Sequence, residues 1–387
     1  MTPRFSTLVA RAIFLTGVLG AARALGQDSP GLTIQLEGSA VPAISGARPS
    51  CDPLDIPDAP ARAIRLRTGE VQLYASHFHN RVERGPGLLV LKHDCRVVLS
   101  GAERDDPAVF DDRAWIVSPW TDGTTIWAIM HNEFQGHRRP LLCPSRRYMD
   151  CWYNSLTAAV SRDSGLSFVR GPGRALVATL PYRYDQVGLG HHGYFNPSNI
   201  VTLENAHYVM AFATGSLLQH EGNCLLRTDR VDDPASWRAW DGAAFNVTFI
   251  DPYSAPQAPE GHVCAPVGAG KLRWPVTSLV RHGASGLFIA TMLNGARGGG
   301  VFYATSTDLI RWSVPAGLMP GVGQEAFTCV DTPPIAYPSV LDPATDDPNF
   351  ATVSEHAFLF FTRFDVINCR TGLDRELLRV GVHIRSP

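Results

Sequence analysis

The sequence predicts an all-β chain built from one repeated unit, and three observations carry that expectation. Helical signals are scarce along its 387 residues. Short β-rich runs bounded by Gly, Pro, Asn and Asp recur throughout. Those runs also stack on one another, each a strand, a turn and a second strand rich in aliphatic and aromatic residues. With 45% apolar residues and a formal charge of -2, material for a core is ample and neither sign of charge dominates. That balance argues against a nucleic-acid partner or a charged membrane-surface footprint.

The units follow in order. "ARAIRLRTGEVQLYASHFHN" starts at Ala61, "WIVSPWTDGTTIWAIMHNE" at Trp115, "PSNIVTLENAHYVMAFATG" at Pro197 and "PVTSLVRHGASGLFIATMLNG" at Pro275, while "YPSVLD" at Tyr337 leads into "SEHAFLFFTRFD". A third strand and a short fourth are expected after each, joined by turns such as "SRDSGLSF", "TDRVDDPASW" and "STDLIRW". Aspartate suits such turns because its carboxylate accepts from backbone N–H groups two residues on, and the following aromatic packs between sheets. Asp163, Asp229 and Asp308 therefore read as turn formers rather than catalysts. A four-stranded unit recurring every roughly 40 to 60 residues is the signature of a propeller blade. Residues 61–387 are thus expected to form a five-bladed β-propeller. The last unit ends after three strands, and "GLTIQLEG" in the lead-in, residues 27–60, alternates apolar with polar. It is expected to fill the open edge and close the ring.

Residues 1–26 combine Arg4 and Arg11, the apolar stretch "AIFLTGVLGAA" and small residues at Ala22, Ala24 and Gly26. This is the pattern of a signal peptide, too short in its apolar core to span a bilayer. A secreted or periplasmic protein with no stable membrane insertion after cleavage is expected. All eight cysteines follow that segment, and their even number in an exported chain implies disulfides. Pairing neighbours in order keeps each bridge local: 51 with 95, 143 with 151, 224 with 264, 329 with 369.

In a propeller, second strands end on the face where the chain enters the next blade. "MHNEFQG" (130–136) and "SHFHNR" (76–81) end there, and "FDDRAW", "YRYDQVGLGHHGYFNPSN" and "GQEAFTCVDTPPIAYPS" enter there. Carboxylates, histidines, arginines and amides thus gather at one opening, a composition suited to a carbohydrate or anionic ligand. The catalytic candidates are Glu133, Asp112, Asp111 and Asp185. The binding candidates are His79, Arg81, His131, Asn132, His191, His192, Asn196 and Arg363. No metal site and no cofactor is expected, since no EF-hand-like loop supports an axial calcium.

With "FNPSNI", "AYPSVLD" and "STDLIRW" as its local echoes, the chain resembles the five-bladed propeller glycosidases, the furanosidase superfamily of glycoside hydrolase families 32, 43 and 68. "SRDSGLSF" also matches the Asp-box pattern of sialidases, which specifies a turn and not a reaction. The resemblance implies hydrolysis at an anomeric carbon by two carboxylates. It implies one Asp on the inner strand of the first blade, one in the second, and a Glu acid further on. Asp112 matches the second position, with Asp111 beside it; Glu133 is the candidate acid and Asp185 an alternative partner. The first position is not matched, because "ARAIRLR" contains no acid. Two other functions fit the same architecture: a polysaccharide lyase using His79 or His131 as base beside an arginine that neutralises a uronate, and a non-catalytic propeller that binds glycan or protein.

Overall fold

The computed structural model describes residues 31–44, 50–139, 141–171, 175–188, 190–254 and 258–386. The expected signal peptide, 1–26, lies outside them. The described residues are all-β, with helix among them limited to single 3-10 turns. The first sheet is an antiparallel meander of Pro57–Arg65, Val71–Ser76, His79–Gly87 and Val90–Ser100. Its first strand begins earlier than Ala61 and carries an acid, Asp58. The lead-in and the first sheet therefore meet inside "PDAPAR".

Arg113–Thr121, Ile126–Gln135 and Cys151–Ser161 continue the same pattern. Here the structure departs from five separate sheets. Gly190–Phe195, expected as part of a loop, pairs in parallel with Cys151–Ser161 and antiparallel with Ala206–Ala213, fusing two groups into one eleven-stranded sheet. Gly193 makes the join possible. Its φ is +109°, and a Cβ there would meet the Asn154 carbonyl oxygen at 1.9 Å. Val276–His282, Phe288–Asn294, Gly300–Ser306 and Ala316–Pro320 form the next sheet, and Ile335–Leu341, His356–Ile367 and Arg370–Arg385 the last. Thr33–Pro42 pairs antiparallel with Arg370–Arg385, Thr33 opposite Arg385 and Pro42 opposite Leu378, so the outer edge of the last sheet is covered by the start of the described chain.

The first strands of successive sheets pack on one another. Apolar packing excludes water between sheets; Phe168, Trp237 and Trp312, from the aspartate turns, are all buried there. Direction comes from buried polar side chains that bond the backbone of the next sheet. Asn80 donates to the Ala114 carbonyl (2.8 Å) and accepts from the Ile116 N–H (2.7 Å). Asn199 does the same with Leu279, and the Thr277 hydroxyl donates to the Pro338 carbonyl (2.6 Å). Each such group is satisfied only when its neighbour is in register, so the bonds fix how sheets face each other.

At the convergence sits Arg62, only 2% exposed. Its guanidinium donates to the carbonyls of Ala61 in its own strand, of Val117 (3.0 Å) and Thr277 in Arg113–Thr121 and Val276–His282, and of Pro197 (3.2 Å) just before Val201–Leu203. Burial pushes its pKa down to about 9. All four expected disulfides are present: Cys51–Cys95, Cys143–Cys151, Cys224–Cys264 and Cys329–Cys369.

Candidate functional site

Strand register builds the site. In the second sheet Trp115 lies opposite His131, and Arg113 opposite Glu133. Side chains alternate along a strand, so His131 and Glu133 share one face while Asn132 takes the other. Asn132 accordingly donates to Thr157 and accepts from Arg170 (3.2 Å), away from His131 and Glu133. The face carrying Glu133 borders a cleft of 350 Å³ that shares Asp58, Trp115, Glu133, Trp152, Glu325 and Tyr337 with an adjoining recess of 570 Å³.

Asp58 stands at the head of the first sheet's inner strand and is held on both oxygens. Oδ1 accepts from the Tyr337 hydroxyl (3.1 Å) and pairs with Arg375; Oδ2 accepts from Trp115 Nε1 (3.2 Å) and lies 3.3 Å from His77 Nε2. Such a carboxylate cannot rotate freely and presents a fixed face. His77 is itself neutral at pH 7, because burial lowers its pKa to about 4.

Two residues reach the cleft through strained backbone. Tyr337 has φ +57° and Asn196 φ +47°, each followed by a proline, in "AYPS" and "FNPS". Left-handed geometry is uncommon for such residues and disfavoured before proline, and strain of this kind gathers where function requires a particular aim. Here it turns both side chains toward the cleft.

Glu133 is 8% exposed; among the described residues Gln135 Nε2 donates to its Oε2 (2.9 Å) and His131 Nε2 lies 4.0 Å from its Oε1. Burial pushes its pKa up to about 8, and the charges of Asp58 and Asp112 push the same way against Arg113. At pH 7 it holds its proton. The Asn154 amide settles the histidines beside it: Nδ2 donates to His131 Nε2 and Oδ1 accepts from His191 Nε2. Burial lowers both imidazoles to about 3, so both are neutral, and the His131 Nε2 lone pair is already occupied.

An aromatic wall completes the cleft. The parallel pairing sets His191 opposite Trp152, and their rings stack at 3.9 Å and 11°. Tyr148 stacks on Trp152 from the other side at 4.7 Å, carried by the loop that the Cys143–Cys151 bridge closes. Flat apolar faces next to hydrogen-bonding groups suit a sugar ring.

Apart from Asn132, the candidates read from sequence divide into four sets. Glu133, His131, His191 and Asn196 line the cleft together. Asp112, Asp111 and Asp185 are spent elsewhere among the described contacts. Asp112 is forked by Arg139 (2.7 and 2.9 Å) and accepts from the Gln135 N–H (2.8 Å); Asp111 pairs with Arg170 (2.7 Å); Asp185 is exposed and pairs with Arg183 (3.0 Å). Arg81, bound to Asp52, and Arg363, bound to Glu376 (2.9 Å), line a separate 530 Å³ cavity between the first and last sheets. His79 lies edge-on to Phe78 (4.8 Å) outside the cleft lining, and His192 is buried in the face opposite His191. Sequence reasoning missed Asp58, Tyr337, Trp115, Arg375, Trp152 and Arg113. The proline-flanked acid in "PDAP" is the signal that would have found the first.

No protein family and no curated protein matches the chain in sequence. Among solved structures, a protein of unknown function from Dyadobacter fermentans is 12% identical, with a TM-score of 0.50 over 92% of this chain and 100% of its own. That shows a shared fold along almost the whole chain. Also similar are the catalytic domain of the Coprinopsis cinerea GH62 alpha-L-arabinofuranosidase (10% identity, 91% and 98% covered, TM-score 0.49) and the Xanthomonas citri GH43_1 enzyme complexed with xylotriose (14% identity, 88% and 89% covered, TM-score 0.48).

Proposed function

We propose that the protein is a glycoside hydrolase whose acid is Glu133 and whose carboxylate base or nucleophile is Asp58. The strand groups are read as five blades closed by Thr33–Pro42, with the cleft at one mouth of the ring, and the four disulfides favour an exported protein. One observation carries the reading: a buried carboxylic acid protonated at neutral pH shares a cleft with a carboxylate fixed by an arginine, a tyrosine and a tryptophan. Two carboxyl groups in unlike environments are the division of labour that glycosidic cleavage needs.

In this mechanism the sugar lies along the aromatic wall of Tyr148, Trp152 and His191 and its glycosidic oxygen faces Glu133. Glu133 gives its proton to that oxygen as the C–O bond breaks. Asp58 either removes a proton from the water that attacks the anomeric carbon or attacks that carbon itself; the anomer first released, read by NMR, distinguishes the two. A lyase fits less well. His131 has its Nε2 lone pair engaged and its basicity lowered by burial, and His79 is outside the cleft.

The test is release of reducing ends from a panel of oligo- and polysaccharides by the wild type, Glu133→Gln and Asp58→Asn. Release that either substitution abolishes without unfolding is the expected result. Turnover that survives both, or unsaturated product ends, rejects the assignment.

A further inference from the structure

One group in the cleft is left over by this chemistry. Arg113 opens the inner strand of the second sheet and lines the recess beside Glu133. Other arginines near the site are answered: Arg375 by Asp58, Arg138 by Glu103 (3.1 Å), Arg139 by Asp112 (2.7 Å). Among the described residues no carboxylate stands within ion-pairing distance of Arg113. Its guanidinium stacks on Phe78 at 4.5 Å, and its Nε is buried with no hydrogen-bond partner. A buried donor without an acceptor is rare in native proteins and expensive to keep.

The surroundings sharpen the point. Arg138 borders the same recess but is answered by Glu103, and burial together with the neighbouring arginines lowers the pKa of His137, so it adds no charge; Glu325 lines the recess without reaching ion-pairing distance of Arg113. Glu133 does not help, because it is protonated. A flat guanidinium held against an aromatic ring and lining a cleft is suited to receive two oxygens of one planar or tetrahedral anion.

Resting on the hydrolase reading above, we infer that the substrate is an anionic sugar whose carboxylate or sulfate binds Arg113. Register also says where the charge lies. Arg113 and Glu133 are direct cross-strand partners, and Cβ atoms in that relation are about 5 Å apart. The anionic group therefore belongs to a sugar unit that shares the scissile bond and not to a distant residue of the polymer. Binding has a consequence for the acid. Arg113 holds the proton affinity of Glu133 down, so an anion that neutralises Arg113 while adding its own charge holds the proton on Glu133 more firmly.

The experiment measures binding by calorimetry, using galacturonate, glucuronate, galactose 6-sulfate, galactose and glucose as probes. The proteins are the wild type, Arg113→Gln and Arg113→Lys, with thermal melts to verify folding. The expected result is at least tenfold tighter binding of a charged sugar than of its neutral counterpart. Salt should weaken that preference, Arg113→Gln should abolish it and Arg113→Lys should retain part of it. Preference for uronates assigns the anion to a carboxylate, and preference for the sulfated sugar assigns it to a sulfate ester. Equal affinity for charged and neutral sugars, or a preference that survives Arg113→Gln, overturns the inference. The two readings fail separately. Cleavage of charged and neutral substrates alike, undiminished for either by Arg113→Gln, leaves the hydrolase and removes the anion site, whereas charge-selective binding without cleavage of any matching oligosaccharide leaves the anion site and removes the hydrolase. With a cleavable anionic substrate, the basic limb of kcat should lie above that of kcat/KM in the wild type and coincide with it in Arg113→Gln.

Discussion

Asp112 and Glu133 flank Arg113 in the same sheet, one by sequence and one by register, and both are buried. They have opposite lives. Asp112 gives both oxygens to Arg139 and takes a backbone N–H, so its charge is answered and it ties the loop 136–139 to the sheet. Among the described residues Glu133 has an amide and an uncharged imidazole beside it, and burial keeps it protonated near neutral pH. A buried acid matched by a cation is a fastening; one left without a cation becomes a proton carrier.

The largest expected effect tests which of the two is chemical. Glu133→Gln keeps the shape and removes the proton, and turnover per folded molecule should fall by about 10²–10⁴. Asp112→Asn should instead strike folding. It strands Arg139, and unfolding measured in urea should show a loss of about 3 to 5 kcal/mol. Turnover of the refolded Asp112→Asn protein near the wild-type level is the accompanying expectation. The reverse pattern, a stable but inactive Asp112→Asn beside an active Glu133→Gln, would exchange their roles.

The comparison also makes a statement about pH. Glu133 has a folded pKa raised from 4.5 to about 8, so its contribution to stability is full below pH 4.5 and is lost as pH rises through 8. Glu133→Gln should therefore gain stability over the wild type on the alkaline side, by at most about 5 kcal/mol, and gain none below pH 4.5. His77, His131 and His191 act oppositely. Their pKa values are depressed from 6.5 to about 4, 3 and 3, so stability is full above pH 6.5 and is lost as pH falls toward those values. Melting temperature across pH 4 to 9 should pass through a maximum, with the alkaline shoulder missing in Glu133→Gln. A wild type and Glu133→Gln that melt in parallel at every pH would show that Glu133 ionises normally.

Much of this arrangement could be read beforehand, for physical reasons that also explain the gaps. Alternation exposed the strands that bury one face, because a half-buried strand must alternate; Thr33–Pro42 shares that signal only at its start, where Ile34 is buried, and is exposed from Gln35 onward. Glu133 was legible as an acid ending an apolar run. Asp58 was not, because Pro57 and Pro60 read as punctuation and moved the strand's start to Ala61; the pairing of this strand is in fact irregular between Pro57 and Arg62, which is how a strand accommodates prolines. Arg62 reads as one more polar residue in an alternating strand, since alternation cannot say which face meets the convergence. The stacking of His191 on Trp152 depends on a parallel pairing between distant segments, and local pattern carries no trace of it. Nor does it reveal partners: Asp112 and Glu133 look equally catalytic until Arg139 is seen on one of them.

Tyr337 offers the smallest expected effect and separates the two carboxyl groups of the cleft most finely. Its hydroxyl donates to Asp58 Oδ1, so the hydrogen bond is made to a charged group; such bonds contribute about 1.5 to 3 kcal/mol. Arg375 and Trp115 remain on Asp58 after Tyr337→Phe, so the carboxylate stays fastened and turnover should fall only about tenfold, near the low end of that range. The ring keeps its place against the cleft, and its strained backbone is unchanged. The basic limb of the pH profile, which belongs to Glu133, should therefore stay near 8 while the rate drops. A limb that moves with Tyr337→Phe would mean that the hydroxyl acts on the acid as well as the base, and that the two carboxyl groups are less independent than their partners suggest.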